Sequence, residues 1–194
     1  MTPFTKDGTD LVAELDDFEV ALVASLVTQV VDLIGGAAEA EASDPFSRWA
    51  SELQGDTVLD RSDPVVLRLF PDAYDGDPAA SAEHRRYSQD AQRRQRIADS
   101  EVVLADLAAT LDGEEPLVVS IADVDAWLKT LNGVRLSLAV RLGIESESDH
   151  RDLERLPARD PRTQLVALYD WLGLVIESLL DALHHQGPTT GGRR

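Results

Sequence analysis

The sequence contains no cysteine among its 194 residues. This absence excludes disulfide bonds, thiolate-rich zinc sites, cysteine-held iron–sulfur clusters and any thiol-based redox switch within this chain. Aromatic residues are scarce, at 5% of the chain against 43% hydrophobic residues in all, so an aliphatic core is expected. Basic residues are few: 18 Lys and Arg face 36 Asp and Glu, giving a net charge of −18. This acid excess argues against general nucleic-acid binding and favours basic protein partners.

Long hydrophobic runs and targeting signals are also missing. The most apolar stretch, residues 20–38, is interrupted by Gln29, Asp32 and two glycines, which is typical of a core helix and not of a membrane span. The first ten residues lack the basic-then-apolar pattern of a signal peptide. We therefore expect a soluble, cytoplasmic protein with one domain, which buries roughly 70% of its unfolded surface.

Recognised catalytic and metal-binding motifs are absent from the sequence. There is no GxSxG, no phosphate-binding glycine loop, no HExxH and no EF-hand spacing. The histidines are scattered, at His84, His150 and the adjacent pair His184-His185, whose side chains would point about 100° apart on a helix. We expect no catalytic residue, no cofactor and no metal ion.

Helix boundary signals are the clearest positive feature. An Asp before a Pro predicts a helix start, because Asp accepts hydrogen bonds at the N-cap and Pro is tolerated at the first helical position. Such pairs occur at Asp44-Pro45, Asp63-Pro64, Asp77-Pro78 and Asp160-Pro161. Asp16 with Glu19 predicts a capping box, and Ser120 with Asp123 a second one. Glycines after apolar periodic stretches predict helix ends at Gly35, Gly113, Gly143 and Gly187.

These signals predict a mainly α, single-domain, helical bundle-like fold with a minor two-stranded β element. Helices are expected at about 17–34, 45–54, 64–70, 78–111, 121–142 and 161–184, strands near 10–15 and 116–119, and a charged loop at 144–160. Residues 1–9 are predicted to be a flexible N-terminus, 10–186 the domain and 187–194 a disordered tail. An unbroken helix over 78–111 would be about 51 Å long, against a radius of gyration of about 16 Å. We therefore expect a break near Tyr87-Ser88.

One stretch stands out because it has little with which to build a core. No Leu, Ile, Val or Met lies between Phe70 and Ile97, yet residues 84–96 carry five arginines and only Asp90 as an acid, a local charge of +4. The arginines are Arg85, Arg86, Arg93, Arg94 and Arg96. Three interpretations stay open: a solvated helix face, a protein-docking surface, or a nucleic-acid-binding surface in which Tyr87 is the one aromatic residue that could stack on a base.

Two further positions are candidates on the long helices. Arg135 falls within an apolar stripe formed by Leu128, Leu131, Leu138 and Leu142, so it needs an acidic partner. Glu177 is the first candidate and Asp72 the second, which would make all three buried polar residues; the pair either fixes helix register or lines a ligand pocket. Trp171 lies away from the centre of its helix's apolar stripe and is a candidate contact residue for a partner.

Three motifs carry a family resemblance. DPVVLRLFPDAYDGDPAASAEHRRY, AWLKTLNGVRLSLAVRLGIE and LYDWLGLVIESLLDAL occur in this order within residues 11–184. They resemble the actinobacterial family of unknown function that is often encoded near the ClpS protease adaptor and that includes the actinomycetes oxidative stress regulator. The resemblance implies a small helical regulator of stress-responsive transcription that works through protein contact.

Three functional hypotheses follow from these observations. The first is a non-catalytic regulatory module that contacts a protein partner, related to transcription or to a protease adaptor, through the arginine cluster, Tyr87 and Trp171. The second is a nucleic-acid-binding regulator that uses the same arginines, although nucleic acid is the less favoured partner. The third is an enzyme with a pocket around Arg135 and Glu177. A homodimer is left open, and no membrane partner is expected.

Overall fold

The computed structural model describes residues 1–35, 59–74 and 76–184. In chain order the elements are β1 (Thr5–Asp7), β2 (Asp10–Ala13), α1 (Asp17–Leu33), α2 (Pro64–Leu69), α3 (Pro78–Ala109), β3 (Leu117–Ser120), α4 (Val124–Leu142), α5 (Glu147–Glu154) and α6 (Arg162–His184). The fold is mainly α, as predicted. The predicted helix at 45–54, Gly187 and the tail at 187–194 lie outside the described residues.

The sheet has three antiparallel strands in the order β1-β2-β3 and not the two that the sequence predicted. The predicted pair is present, with Leu11 opposite Val119 in β2 and β3. The added strand, β1, comes from the segment expected to be flexible and forms a hairpin with β2. This segment is held at its base, because Phe4 is buried and the N-terminal ammonium pairs with Glu19 at 2.6 Å. All three β1 residues are exposed, which explains why no apolar alternation revealed the strand.

Most of the predicted helix starts are confirmed. Asp16 and Glu19 form a capping box at α1, and the carboxylates of Asp63 and Asp77 accept backbone hydrogen bonds at the starts of α2 and α3. The second predicted capping box is wrong. Ser120 is the last residue of β3, and the N-cap of α4, Asp123, makes no side-chain capping bond.

Helix α3 is continuous over 32 residues, so the predicted break near Tyr87-Ser88 is wrong. Ser88 does not start a new helix: its hydroxyl donates to the carbonyl of His84 at 3.0 Å, one turn back along the same helix. The polar stretch is rich in Ala, Arg and Gln, which have high helix propensity. Contacts to the segment before α3 secure this half of the helix, as described below.

The charged segment at 144–160, predicted to be a loop, contains α5. Ser146 and Asp149 form a capping box at its start, and the buried Leu153 joins Leu142 and Val166 in a small apolar cluster. A capped start and one anchoring leucine are enough to hold a short helix that is otherwise highly charged.

Helix α4 lies at the centre of the fold, where it packs against α1, α2, α3 and α6. Its Trp127 and Leu131 are almost fully buried in the main core, which the sheet and α1 complete. A second cluster between α2 and α4 includes Val66 and Phe70 and reaches α3 at Ile97. None of the helices in the described part of the chain combines the length and hydropathy that crossing a membrane requires.

Candidate partner-binding surface

The arginine cluster lies in the middle of α3, and its five members fall into two groups. Arg86 and Arg94 are exposed, whereas Arg85 and Arg96 are half-buried and Arg93 is buried. Helix geometry explains part of the division. At about 100° per residue, Arg85, Arg93 and Arg96 fall within a sector of about 80°, and Arg94 points away from it. Arg86 lies seven residues before Arg93, at the edge of the same sector, and is nevertheless exposed.

Arg85 ties the first half of α3 to the preceding segment. It forms an ion pair with Asp72, whose carboxylate also accepts a hydrogen bond from Arg61 at 2.8 Å. Arg61 in turn donates to the carbonyl of Phe70 at 3.1 Å. Asp72 was predicted to be buried and was the second candidate partner of Arg135. Both expectations are wrong, because Asp72 is exposed and its carboxylate bridges two other arginines.

Arg96 and Arg93 secure the second half of the cluster. The Arg96 guanidinium lies 5.3 Å from the ring centroid of Phe70 and donates to the carbonyl of Leu69 at 3.0 Å. Burial lowers the pKa of Arg96, and the charge of Asp99 opposes this shift. Arg93 is 3% exposed and pairs with Asp90 at 3.2 Å. Burial of this side chain counts against Arg93 as a contact for a partner, and its predicted role in partner binding stays a prediction.

Three residues of the predicted partner site remain on the outside of α3. Tyr87 is 79% exposed, Arg86 is exposed without an ion pair in the described part of the chain, and Arg94 is exposed beside Asp90, with which it pairs at 2.8 Å. Successive turns of the helix bring Tyr87 and Arg94 onto one face. We call Arg86, Tyr87 and Arg94 the α3 surface.

Trp171 lies on α6, apart from the α3 surface. Its side chain is half-buried and packs against the main core, whereas Leu174, one turn later, is 63% exposed. Helix α6 packs against α4, α5 and the sheet. Trp171 therefore has a packing role, and its proposed contact with a partner stays a prediction.

Arg135 has a different partner from the one predicted. Its guanidinium stacks 4.2 Å from the ring centroid of Tyr169 and lies against Gly173, whose missing side chain leaves room for it. Glu177 is exposed and makes no ion pair with Arg135. The predicted buried pair is thus wrong, and a cation–π contact with Tyr169 takes its place. Arg135 is half-buried, and its Nε is buried without a hydrogen-bond partner in the described part of the chain.

A shallow groove between α3 and α4 lies beside the cluster. It is lined by Ala91, Gln92, Gln95, Arg96, Asp99 and Lys129. Asp99 is buried and accepts a hydrogen bond from Gln95 at 2.8 Å, while Lys129 pairs with Asp125 at 2.5 Å. This ion pair raises the pKa of Lys129. The groove contains neither Arg135 nor Glu177, the residues of the pocket hypothesis.

The chain is similar to mycobacterial proteins that are named oxidative stress regulators. The chain is 28% identical over 186 residues to the oxidative stress regulator AosR of Mycobacterium tuberculosis, an alignment that covers 91% of this chain and 83% of the relative. It is also 28% identical to a putative oxidative stress regulator AosR of Mycobacterium leprae, with 92% and 85% of the two chains covered. No solved structure matches this chain.

The family model described as a domain of unknown function, DUF2017, matches residues 1–183, which is nearly the whole chain. This match and the mycobacterial relatives confirm the resemblance that the three sequence motifs carry. The chain belongs to the DUF2017 family.

Proposed function

We propose that this protein is a non-catalytic regulatory module of stress-responsive transcription, which acts by protein–protein contact through the α3 surface. A regulatory role is supported by the mycobacterial relatives, which are named oxidative stress regulators and align with at least 91% of this chain. The choice of surface is supported by exposure, because Arg86 and Arg94 are exposed whereas Arg93 is buried.

The observation that carries the proposal is that, in the described part of the chain, Arg86 and Tyr87 form no ion pair or hydrogen bond through their side chains and Arg94 pairs with Asp90 of its own helix. Their neighbours Arg85 and Arg96 are engaged within the fold, whereas the ring of Tyr87 is 79% exposed to solvent. Tyr and Arg are the residues most enriched among those that dominate binding energy in protein interfaces. An exposed aromatic ring flanked by guanidinium groups is therefore suited to anchor a partner.

The charges indicate the chemistry of the partner. The chain as a whole carries −18, so the two exposed guanidinium groups form a local positive region on an acidic protein. Arg binds carboxylates through paired hydrogen bonds, and complementary charge increases the rate of association. The expected partner surface presents carboxylates around an apolar recess that receives the ring of Tyr87.

The absence of cysteine limits how a stress signal can reach this protein. Since the chain has no cysteine, it cannot sense oxidants through a thiol of its own. In this proposal the partner, or another protein acting on it, receives the signal, and this protein transmits it by binding.

Affinity capture from native lysate with mass spectrometry tests the proposal. The variant Arg86→Ser/Arg94→Ser is compared with the wild type and with Arg155→Ser/Arg159→Ser as a matched control. Each double variant removes two exposed arginines, of which one pairs with an Asp three or four residues before it. We expect a protein that the wild type and the control retain and that the α3 variant loses.

Tyr87→Ala tests the aromatic part of the surface and should lose the same protein without changing the charge. Identical captures by all four proteins would contradict a role for the α3 surface and return it to a solvated helix face. Binding to DNA that falls steeply with salt and disappears in the Arg86→Ser/Arg94→Ser variant would instead support the nucleic-acid hypothesis.

A further inference from the structure

A second cluster of polar side chains lies between α5 and α6, on different helices from the α3 surface. His150 and Glu154 come from α5 and Asp170 from α6. Each offers one potential ligand atom, and the three atoms all lie within 4.8 Å of one another. We propose that these residues bind a divalent first-row transition-metal cation of the Zn²⁺ type.

The short helix α5 presents two of the ligands together. His150 and Glu154 are four residues apart, so their side chains lie one above the other on the same helix face. Leu153 is buried on this side of the helix, in a cluster that includes Val166 of α6. The Ser146 capping box fixes the start of α5. The side of α5 that carries His150 is therefore held against α6, and Glu154 lies exposed one turn later.

Asp170 completes the cluster from the opposite helix. Its carboxylate lies 2.7 Å from Nε2 of His150, and the imidazole ring packs against Tyr169 with 5.5 Å between ring centroids. Donor atoms bound 2.0–2.2 Å from one tetrahedral zinc ion lie about 3.4 Å apart. Small rotations of the side chains would bring the three donors to that spacing, with water completing the coordination.

The local charges favour a cation. The carboxylates of Glu154 and Asp170 both lie near the imidazole of His150, and the arginines within and directly after α5 have other partners. Arg151 lies 3.8 Å from Glu147, and Arg155 pairs with Asp152 at 2.7 Å. The pair formed by His150 and Asp170 does not explain why Glu154 points to the same place. A bound cation would neutralise both carboxylates, and an imidazole ligand selects zinc-like metals over Mg²⁺ and Ca²⁺.

Isothermal titration of the full chain with Zn²⁺ tests the site, with Mg²⁺ titrated for comparison. The protein carries His184→Gln and His185→Gln so that the terminal histidine pair does not contribute. We expect one equivalent of Zn²⁺ to bind, and His150→Gln and Asp170→Asn each to weaken binding by about tenfold or more. His84→Gln removes an exposed histidine elsewhere and is the matched control, expected to bind as before.

Glu154→Gln is the decisive variant, because Glu154 takes no part in the hydrogen bond between His150 and Asp170. It should weaken Zn²⁺ binding by about tenfold or more while leaving the far-ultraviolet circular dichroism of the metal-free protein unchanged. The inference is overturned if the protein binds no Zn²⁺ once the terminal histidines are replaced. It is equally overturned if Glu154→Gln and His150→Gln bind as tightly as the His84→Gln control.

Discussion

The neighbouring residues Arg93 and Arg94 give the sharpest test of how the arginine cluster is divided. On sequence alone, Ser substitutions at Arg86, Arg93 and Arg94 together should leave thermal stability nearly unchanged. The structure separates them, because the Arg93 side chain is 4% exposed and that of Arg94 is 66% exposed. We expect Arg93→Ser to destabilise the fold and Arg94→Ser to have almost no effect.

The magnitude follows from what each substitution leaves behind. Removing one member of a fully buried ion pair costs about 3–5 kcal/mol. Asp90 is 41% exposed, so its charge stays partly hydrated after Arg93 is lost, and the cost should be lower. Loss of the hydrogen bond and of the packed side-chain stem gives about 2 kcal/mol, or about 4–8 °C in Tm for a chain of this size. Arg94→Ser should change the free energy of unfolding by less than about 0.5 kcal/mol.

Urea unfolding followed by circular dichroism measures both variants. The linear extrapolation gives the free energy of unfolding, and an unchanged slope shows that the two proteins unfold between comparable states. Equal midpoints for Arg93→Ser and Arg94→Ser would refute the assignment of Arg93 to the interior. A large loss in Arg94→Ser would show that the α3 surface is structural, and the proposal for partner binding would lose its basis.

Two further predictions concern the core and a turn. Gly113→Ala should lower the free energy of unfolding in urea by about 3 kcal/mol, because φ is +87° and the new Cβ would lie 2.9 Å from the backbone of Asp16. Gly143→Ala is the comparison: φ is +74° but the space around the new Cβ is open, so the cost should be about 1 kcal/mol. Burial raises the pKa of Asp106 although Trp127 donates to its carboxylate at 2.7 Å. The folded protein therefore holds the proton of Asp106 more tightly than the unfolded chain does. The free energy of unfolding should fall as pH rises from 3.8 through the folded pKa, because the carboxyl group then loses its proton. Asp106→Asn cannot lose this proton, so its stability should increase relative to the wild type across that pH range. A difference between these two proteins that does not vary with pH would contradict this.

The sequence predicted helix boundaries well where the signal was local. Asp16, Asp63 and Asp77 cap the helices that they were expected to cap, because an N-cap depends on only a few adjacent residues. Helix α5 was missed although its capping box was readable, since the surrounding charge density suggested a loop. The strand β1 left no pattern to read, because its formation depends on pairing with β2 and not on burial.

The candidate site was predictable only in part. The burial of Arg93 was readable from the sequence, because Arg93 lies four residues before the apolar Ile97 and so shares the inward face of α3 with it. The partners of Arg135 and His150 required tertiary packing, since Tyr169 and Asp170 come from another helix. The four-residue spacing of His150 and Glu154 was the one readable trace of the cluster between α5 and α6.

The two groups of arginines act on different properties of the same helix. Arg85 and Arg96 attach α3 to the residues around Phe70, and this attachment holds Arg86 and Tyr87 on a stiff helix in place of a mobile segment. Because less conformational entropy is lost when a rigid surface binds, these internal contacts contribute to affinity without touching a partner. A variant such as Arg85→Ser should then weaken partner binding through added mobility, with the loss visible in faster amide hydrogen exchange at the start of α3. A variant at Arg86 should weaken binding with exchange unchanged, and this difference separates positioning from contact.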